Sequence, residues 1–281
     1  MTTCKARGTL FVVGTPIGNL EDITLRAIRI LREVDIVAAE DTRVTSRLFN
    51  RHEIDTQLVS FREQNAARMI PKLLSSLDAG KDIALVTDAG TPSVSDPGAG
   101  LVAAARNAGI TVSPIPGASA LAASISVAGL SGAGVRFLGF LPRSGRRRKE
   151  RIQAIALEPA LTVLYEAPSR LRQTLTDLFR ACGPREAAVA RELTKIHEEI
   201  VHGTLDELAE RFKDEVKGEV TLVLAGADVG NEPEITDERL REIVRGEIAK
   251  GRSARDVATA LSQGLGLPRK KIYEMAVDEI S

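Results

Sequence analysis

The sequence predicts two α/β domains followed by a small helical tail. Three observations support this fold class. The chain has 281 residues, enough for two cores. Short apolar runs alternate with segments of helical spacing, and the last segment carries helix-start signals. We expect the first domain at 1–132, the second at 133–227 and the tail at 235–281.

Five apolar, partly β-branched runs mark the strands of the first domain. Segments with helical spacing lie between some of them, at Leu25–Leu31, Met69–Leu77 and Leu101–Ala108. Strands that alternate with helices predict a mainly parallel sheet covered on both faces. The five runs are Thr9–Val13, Ile36–Ala39, Gln57–Ser60, Ile83–Val86 and Thr111–Ile115.

The second domain shows the same kind of alternation. The short connection into the run Glu198–His202 predicts an antiparallel or edge element, and therefore a more mixed sheet. The candidate strands are Arg136–Leu141, Leu161–Glu166, Glu186–Arg191, Glu198–His202 and Val220–Leu224. The candidate helices are Arg146–Leu157, Ser169–Ala181 and Leu205–Phe212.

The tail is predicted to form three short helices. Ser253 can cap the second of them, and Pro268 can open the third at its first turn. Two interpretations stay open. The tail is either a packed helical appendix or a helix-turn-helix-like unit whose basic residues Arg269, Lys270 and Lys271 contact phosphates.

Composition limits the possible functions. The 38 basic residues balance the 38 acidic ones, which argues against a surface that is basic throughout but allows a local basic patch. Without Trp and with 3% aromatic residues, a platform that stacks several bases is disfavoured. Cys4 and Cys182 have no CxxC partner, so we expect reduced thiols and no metal site. No apolar stretch reaches membrane-spanning length, and we expect a cytoplasmic protein with no membrane partner.

Three loops follow strands of the first domain, at Gly14–Leu20, Thr87–Gly98 and Pro114–Ala120. Parallel strands present their carboxyl ends on one side of the sheet, so these loops should converge there. Their glycines let backbone groups approach a ligand, and Asp88 could pair with an ammonium group or ribose hydroxyls. Neither of the first two loops has a Walker or dinucleotide fingerprint. The pattern therefore indicates a small polar ligand and disfavours nucleoside triphosphates and nicotinamide dinucleotides.

Seven ordered motifs, spread over roughly residues 8–225, resemble the tetrapyrrole-methylase superfamily. They are Thr15–Thr24, Glu40–Arg43, Asp88–Pro92 with Ser95–Gly98, Pro114–Ser119, Gly139–Pro142, Tyr165–Pro168 and Ala190–Lys195. Within the superfamily, they are similar to the members that 2'-O-methylate a cytidine ribose in 16S rRNA of the small ribosomal subunit. The resemblance also implies a homodimer.

The resemblance implies a fold of two α/β domains with S-adenosylmethionine in the cleft between them. The first loop, Thr15–Asn19, would face the methyl acceptor rather than the cofactor. The residues that would line the cofactor are Asp88, Ala89, Gly90, Thr91, Pro92, Val94, Ala118, Ser119, Tyr165, Glu166, Ala167, Ala190, Leu193, Glu219 and Thr221.

A ribose 2'-hydroxyl is a poor nucleophile until its proton is removed or strongly hydrogen-bonded. The candidates for this role are Glu40, Asp41, Glu192 and Lys195. Three of them have a structural alternative. The segment Glu40–Arg43 could be a helix cap with a local ion pair, and Glu192 could pair with Arg191 at the domain interface.

The locally basic segment Arg143–Arg151 follows the motif Gly139–Pro142 near the expected cleft. A solvated helix face is the usual explanation of such a run. Its position favours phosphate contacts with RNA through Arg143, Arg146, Arg147, Arg148 and Lys149.

Two other functions compete with rRNA methylation. A methyltransferase acting on a corrin precursor would need a broad apolar cleft and would have little use for the basic run. A non-catalytic ribosome-assembly factor could keep the fold without the reaction.

Overall fold

The computed structural model describes residues 7–214, 216–227, 237–249, 252–265 and 267–279. The chain forms two compact units, Met1–Ala227 and Asp228–Ser281. Two five-stranded sheets and their helices build the first unit, and three helices build the second. Among the described residues, no helix is long and apolar enough to cross a membrane.

The first sheet is entirely parallel, with strand order β3-β2-β4-β1-β5. Its strands are β1 Thr9–Val13, β2 Ile36–Ala39, β3 Gln57–Ser60, β4 Ile83–Val86 and β5 Thr111–Ile115, as the apolar runs predict. The intervening and following helices are α1 Leu25–Glu33, α2 Thr42–Arg51, α3 Ala66–Asp78, α4 Ala99–Asn107 and α5 Ala120–Ala128.

Helices cover both faces of this sheet. Every residue of β2 and β4 is buried, which is typical of parallel strands with two covered faces. On one face, Leu31 of α1 and Phe49 of α2 join a core with Val37. On the other face, Leu77 of α3 and Leu101 of α4 join a second core. The parallel sheet predicted from the alternation is therefore confirmed.

The second sheet is mixed, with order β6-β7-β10-β8-β9. Strands β6 and β7 are parallel, and the other neighbours are antiparallel. The strands are β6 Val135–Phe140, β7 Leu161–Glu166, β8 Glu186–Arg191, β9 Glu199–Thr204 and β10 Val220–Leu224. The helices are α6 Gly145–Ala156, α7 Leu171–Cys182 and α8 Leu205–Arg211. The antiparallel edge strand predicted near Glu198–His202 is thus present as β9.

Several boundaries in this region differ from the prediction by one or two residues. Helix α7 begins at Leu171 rather than Ser169, because Pro168–Arg170 forms a separate 3-10 turn. Strand β6 begins and ends one residue earlier than expected, and its pairing with β7 shifts between Phe137 and Gly139. Cys182, at the end of α7, is a half-buried free thiol, and Cys4 lies outside the described residues.

Helix α5 links the two sheets. It follows β5 of the first sheet, yet its Leu121, Ile125 and Ala128 pack against Val163 and Val223 of the second. This apolar contact fixes how the loops of the first sheet face the second sheet.

The C-terminal unit contains the three helices predicted for the tail, α9 Asp237–Ala249, α10 Ala254–Leu265 and α11 Arg269–Asp278. They share a small core that includes Val244, Val257 and Ile272. The Ser253 hydroxyl accepts a hydrogen bond from the Asp256 backbone N–H at 3.2 Å, which caps α10.

Candidate active site

The loops at the carboxyl ends of the first sheet meet the second sheet around a cavity of about 350 Å³, which we call the central cavity. Its lining from the first sheet is Ile17, Ala89, Gly90, Thr91, Val94, Ser95, Asp96, Ser119 and Ala120. Its lining from the second sheet is Phe140, Tyr165, Glu166, Ala167, Pro168, Gly218, Glu219, Val220 and Thr221. This volume falls in the range of small-ligand pockets.

Close backbone contacts hold the three loops of the first sheet together. Thr15 and Gly90 form an isolated antiparallel bridge, with hydrogen bonds of 2.9 and 3.1 Å. A Cβ atom at Gly117 would lie 2.6 Å from the Gly14 carbonyl oxygen, so only glycine allows the first and third loops to touch. The predicted convergence of the loops is confirmed.

The wall from the second sheet is built on Tyr165 and Glu166. The Tyr165 ring makes edge contacts with Phe137 at 4.9 Å and Phe140 at 5.8 Å. The buried Glu166 carboxylate accepts a hydrogen bond from the Thr174 hydroxyl at 2.6 Å and forms a salt bridge with Arg170. It also accepts one from the Ala167 backbone N–H at 2.8 Å. Glu166 therefore stabilises the wall, and its carboxylate is not available to a ligand.

Glu192, Lys195 and Glu219 form an ion-pair cluster at the rim of the central cavity. Lys195 Nζ lies 2.8 Å from Glu192 Oε1 and 3.2 Å from Glu219 Oε2. Burial disfavours the charged lysine, but the hydrogen bond with Glu192 and the charge of Glu219 outweigh it and raise the Lys195 pKa. The hydrogen bond from Lys195 lowers the Glu192 pKa. Lys195 thus remains a cation and does not suit the role of a base.

Glu40 and Asp41 lie in a second cavity of about 580 Å³, the acidic cavity. The Asp41 backbone N–H donates to Asp88 Oδ1 at 2.8 Å, which brings the two acidic motifs together. Asp41 also caps α2, because its carboxylate accepts a hydrogen bond from the Arg43 backbone N–H at 2.9 Å. The same carboxylate forms a salt bridge of 2.6 Å with the Arg43 guanidinium, and this bond holds the pKa of Asp41 well below its usual range. Burial, and then the charge of Asp88, raise the Glu40 pKa. For Asp41, the structure therefore agrees with the alternative interpretation of the segment Glu40–Arg43, a helix cap with a local ion pair.

Most of the residues expected to hold a cofactor line the central cavity. They are Ala89, Gly90, Thr91, Val94, Ser119, Tyr165, Glu166, Ala167, Glu219 and Thr221. Ala118, Ala190 and Leu193 instead form a small apolar cluster behind Ile17, and Pro92 is buried. Asp88 differs from the expectation, because it lines the acidic cavity.

The sequence did not single out several cavity residues. Asp96 and Ser95 belong to the second half of a quoted motif, and Phe140 to another. Ile17 and Ala120 belong to the first and third predicted loops. Gly218 and Val220 belong to the segment 218–221, which the family resemblance assigns to the cofactor. Proximity to the motifs was the available signal for Asp96 and Phe140.

The chain has extensive similarity to known proteins. The family model Tetrapyrrole (Corrin/Porphyrin) Methylases matches residues 9–209. A protein of Synechocystis sp. named Ribosomal RNA small subunit methyltransferase I is 44% identical over 273 residues, which cover 96% of this chain and 98% of that protein. A Bacillus subtilis protein of the same name is 38% identical over 275 residues, covering 95% and 93%. The chain belongs to the ribosomal RNA small subunit methyltransferase I group of the tetrapyrrole methylase family.

Solved structures of the family share the fold. A cobalt precorrin-4 methyltransferase superposes with a TM-score of 0.61 at 17% identity, over 77% of this chain and 94% of that one. A uroporphyrin-III C-methyltransferase from Thermus thermophilus, complexed with S-adenosyl homocysteine, gives 0.57 at 23% identity, over 78% and 97%. The predicted tetrapyrrole-methylase fold with C-terminal helices is confirmed.

S-adenosylmethionine is the cofactor of the methyltransferases in this family. The central cavity fits it in charge, because the Asp96 carboxylate is among its lining residues while lysine and arginine are not. Acidic groups favour a sulfonium and an ammonium over a phosphate. Gly90, with φ of 76°, has a backbone conformation in which a side chain would be strained.

The basic run divides into exposed and buried members. Arg143, Arg146, Arg147 and Lys149 are exposed. Arg148 is buried, and its guanidinium binds Asp177 at 2.9 Å, the Thr174 hydroxyl at 3.0 Å and the Pro142 carbonyl at 3.2 Å. The expectation that Arg148 contacts phosphates is therefore corrected, since its donors bind protein groups inside the fold.

Two of the exposed members, Arg143 and Lys149, line a groove between α6 and α7. This groove has a volume of about 460 Å³ and is lined on its basic side by Arg143, Lys149 and Arg180. Phe140 lines the central cavity, and Arg143 lies three residues further along the chain. The basic groove thus begins close to the cavity.

The basic residues at the start of α11 are exposed. Lys271 forms a salt bridge with Asp237 at 2.7 Å, and Lys270 lies 4.0 Å from Glu274. Both interpretations of the tail remain compatible with this packed three-helix unit.

Proposed function

We propose that this protein transfers a methyl group from S-adenosylmethionine to the ribose 2'-hydroxyl of a cytidine in 16S rRNA. The observation that supports this most is the adjacency of the central cavity to the basic groove through the short segment from Phe140 to Arg143. One site suits a cationic cofactor, and the other suits a polyanion. The names of the relatives support rRNA as the acceptor.

Residues of both sheets would hold the cofactor. Thr91 would offer its backbone N–H, and Val94 and Tyr165 would supply apolar contact. When bound, the cofactor supplies an electrophilic methyl group on a positively charged sulfur. The cavity walls would then align the methyl group with the acceptor oxygen and exclude water. Alignment of the reacting atoms supplies much of the rate enhancement of a displacement reaction.

The RNA would be held outside the cavity by phosphate contacts. Arg143, Arg146, Arg147, Lys149 and Arg180 carry exposed or groove-lining positive charge on α6 and α7. Phosphate contacts fix the position of a nucleic acid and carry little sequence information. Phe140, 55% exposed beside the cavity, would offer one ring on which an unstacked base could lie.

The decisive experiment is incubation with methyl-labelled S-adenosylmethionine and either unmodified 30S subunits or naked 16S rRNA, followed by nucleoside analysis. We expect label in 2'-O-methylcytidine. Label in a base, or none in RNA, would contradict the proposal. If calorimetry detected no cofactor binding, the non-catalytic assembly factor would be favoured instead.

Two further features belong to this proposal. A ribosomal substrate implies that the protein works in the cytoplasm. A homodimer stays a prediction from the family resemblance, and light scattering on the purified protein tests it.

A further inference from the structure

The acidic cavity shares no lining residue with the central cavity. Its lining includes one cation, Arg62, beside the carboxylates of Glu40, Asp41 and Asp88. Its volume of about 580 Å³ is typical of a pocket for a small organic group. Among the described residues, no group of acidic, histidine or cysteine side chains is placed to hold a metal ion. The cavity therefore suits an organic group that both donates and accepts hydrogen bonds.

The carboxylates around Arg62 differ in their partners. The Asp41 carboxylate binds the backbone N–H and the guanidinium of Arg43. Asp88 Oδ1 accepts a hydrogen bond from the Asp41 backbone N–H at 2.8 Å. Within the described part of the chain, the Glu40 carboxylate accepts only one long hydrogen bond, from the Asp88 backbone N–H at 3.5 Å. The Glu40 oxygens are therefore available to a donor on a ligand.

The Arg62 side chain is held through its inner nitrogen. Arg62 Nε donates to the Glu40 carbonyl oxygen at 2.9 Å. The Arg62 backbone N–H donates to Asn65 Oδ1 at 2.8 Å, and Asn65 Nδ2 donates to the Ser60 carbonyl oxygen at 3.1 Å, which fixes the turn after β3. The outer nitrogen Nη2 lies 3.6 Å from Asp41 Oδ2, which is longer than a hydrogen bond. The outer N–H groups of Arg62 are thus positioned donors in the lining of the cavity.

Glu40 and Arg62 do not pair with each other. Burial, and then the charge of Asp88, raise the pKa of Glu40, and the opposing charge of Arg62 does not reverse this shift. A carboxylate bonded directly to a guanidinium would have a lowered pKa. One cavity therefore contains an unpaired acceptor and a separate set of donors.

A cytosine base is complementary to this arrangement. Its Watson–Crick edge carries an amino donor at N4 and acceptors at N3 and O2. Carboxylates accept hydrogen bonds from cytosine N4, and arginine donates to acceptors on bases. Bases of single-stranded RNA are commonly recognised at this edge. Uracil keeps O2 but has a carbonyl oxygen at position 4, which a carboxylate repels.

The two cavities meet along the loop after β4. Asp88 lines the acidic cavity, and the next residue, Ala89, lines the central cavity. Asp96 lines the central cavity, and the next residue, Pro97, lines the acidic cavity. A nucleotide bound at this border would place its base in the acidic cavity and its ribose beside the central cavity.

We propose that the acidic cavity holds the cytosine of the target nucleotide, with Glu40 accepting a hydrogen bond from N4 and Arg62 donating to O2. The inference rests on the proposed ribose methylation and assigns its base specificity. Glu40 is then a specificity residue and not the proton acceptor for the ribose hydroxyl. The two roles predict different results, because loss of a proton acceptor would slow methylation of cytidine and uridine alike.

The test compares wild type with Glu40→Gln, Glu40→Asp, Arg62→Lys and the control Glu53→Gln, whose side chain is exposed between α2 and β3. The substrates are 16S rRNA transcripts, naked or assembled into 30S subunits, with either cytidine or uridine at the nucleotide that wild type labels. Single-turnover rates give the preference for cytidine over uridine. Calorimetry measures the affinity for S-adenosylmethionine, and thermal unfolding verifies that each variant is folded.

We expect wild type to prefer cytidine by at least about tenfold. Glu40→Gln should reduce the preference to within about threefold, because an amide can either accept from an amino group or donate to a carbonyl oxygen. Glu40→Asp keeps a carboxylate and should keep the preference at a lower rate. Arg62→Lys should slow both substrates to a similar extent, since both bases carry O2. Glu53→Gln should match wild type.

Three results would each overturn the role of Glu40. They are the absence of a preference in wild type, an equal slowing of the two substrates by Glu40→Gln, and a loss of cofactor affinity in that variant of more than about threefold. Absence of ribose label with wild type would overturn the proposed function itself. Ribose label together with a preference for cytidine that survives in Glu40→Gln would overturn only the cytosine pocket.

Discussion

The Arg148 guanidinium and the Asp177 carboxylate form a buried salt bridge of 2.9 Å that joins α6 to α7. The same guanidinium donates to the Thr174 hydroxyl, which in turn donates to Glu166 in the wall of the central cavity. One arginine of the basic run therefore belongs to the protein interior, while its neighbours face solvent. This division changes what substitutions in the run should do.

Replacement of Arg148 by alanine should destabilise the protein, because it leaves the Asp177 carboxylate without its partner. Breaking a partly buried pair of this kind costs about 3 kcal/mol. The control Arg147→Ala removes an exposed charge and should change the free energy of unfolding by less than about 0.5 kcal/mol. Urea unfolding measures both, and equal stability of the two variants would contradict the assigned role of Arg148.

Charge reversal of the exposed members should weaken RNA binding without harming the fold. We expect the triple variant Arg146→Glu, Lys149→Glu and Arg147→Glu to lower 16S rRNA affinity at least about tenfold, with a shallower dependence of affinity on salt. Filter binding at several KCl concentrations measures both quantities.

A matched control reverses the same number of exposed charges on the helices of the first sheet, with Arg26→Glu, Arg47→Glu and Arg68→Glu. It should bind rRNA more tightly than the α6 triple variant. If the two triple variants lost affinity equally, binding would depend on net charge rather than on the basic residues of α6.

Gly117→Ala should disturb the central cavity from a distance. Its Cβ atom would lie 2.6 Å from the Gly14 carbonyl, so the first and third loops must separate. We expect a loss of about 1–3 kcal/mol in stability and weaker cofactor binding by calorimetry. The helical control Gly100→Ala meets only Ile70 Cδ1, at 3.5 Å, and should be neutral or more stable by up to about 1 kcal/mol.

The pH dependence of stability should reveal the raised pKa of Asp96. Its pKa is raised by burial and then by Glu40 and Asp88 to about 6 in the folded state, whereas an unfolded aspartate titrates near about 3.9. Between these values the folded state binds more protons, so the contribution of Asp96 to stability falls as pH rises from about 4 to 6. Asp96→Asn should therefore have a higher Tm than wild type at pH 7, with the difference vanishing near pH 4. A difference that stays constant across this range would contradict the raised pKa.

The fold follows closely from the sequence where burial imposes a simple pattern. Fully buried strands such as β2 and β4 are short apolar runs, and their bounds agree with the prediction. A predicted boundary was wrong where a local backbone preference differs from the apolar pattern. At Pro168 a 3-10 turn forms first, and α7 begins after it.

The site was less predictable, because its members depend on contacts between distant segments. Asp88 follows β4 as expected, but its carboxylate binds the Asp41 N–H and lines the acidic cavity. Asp96 could not be distinguished from the other acids in the sequence. Its environment depends on a loop with two left-handed serines and on Glu40, which lies 56 residues earlier.

Helix α5 limits how ligands can enter and leave. Its first turn follows Ser119 in the central cavity, and its apolar face is buried against β7, β8 and β10. Swinging the sheets apart would expose that face to water at a cost proportional to its area. Exchange of a spent cofactor is therefore cheaper through movement of the surface loops than through opening of the whole cleft.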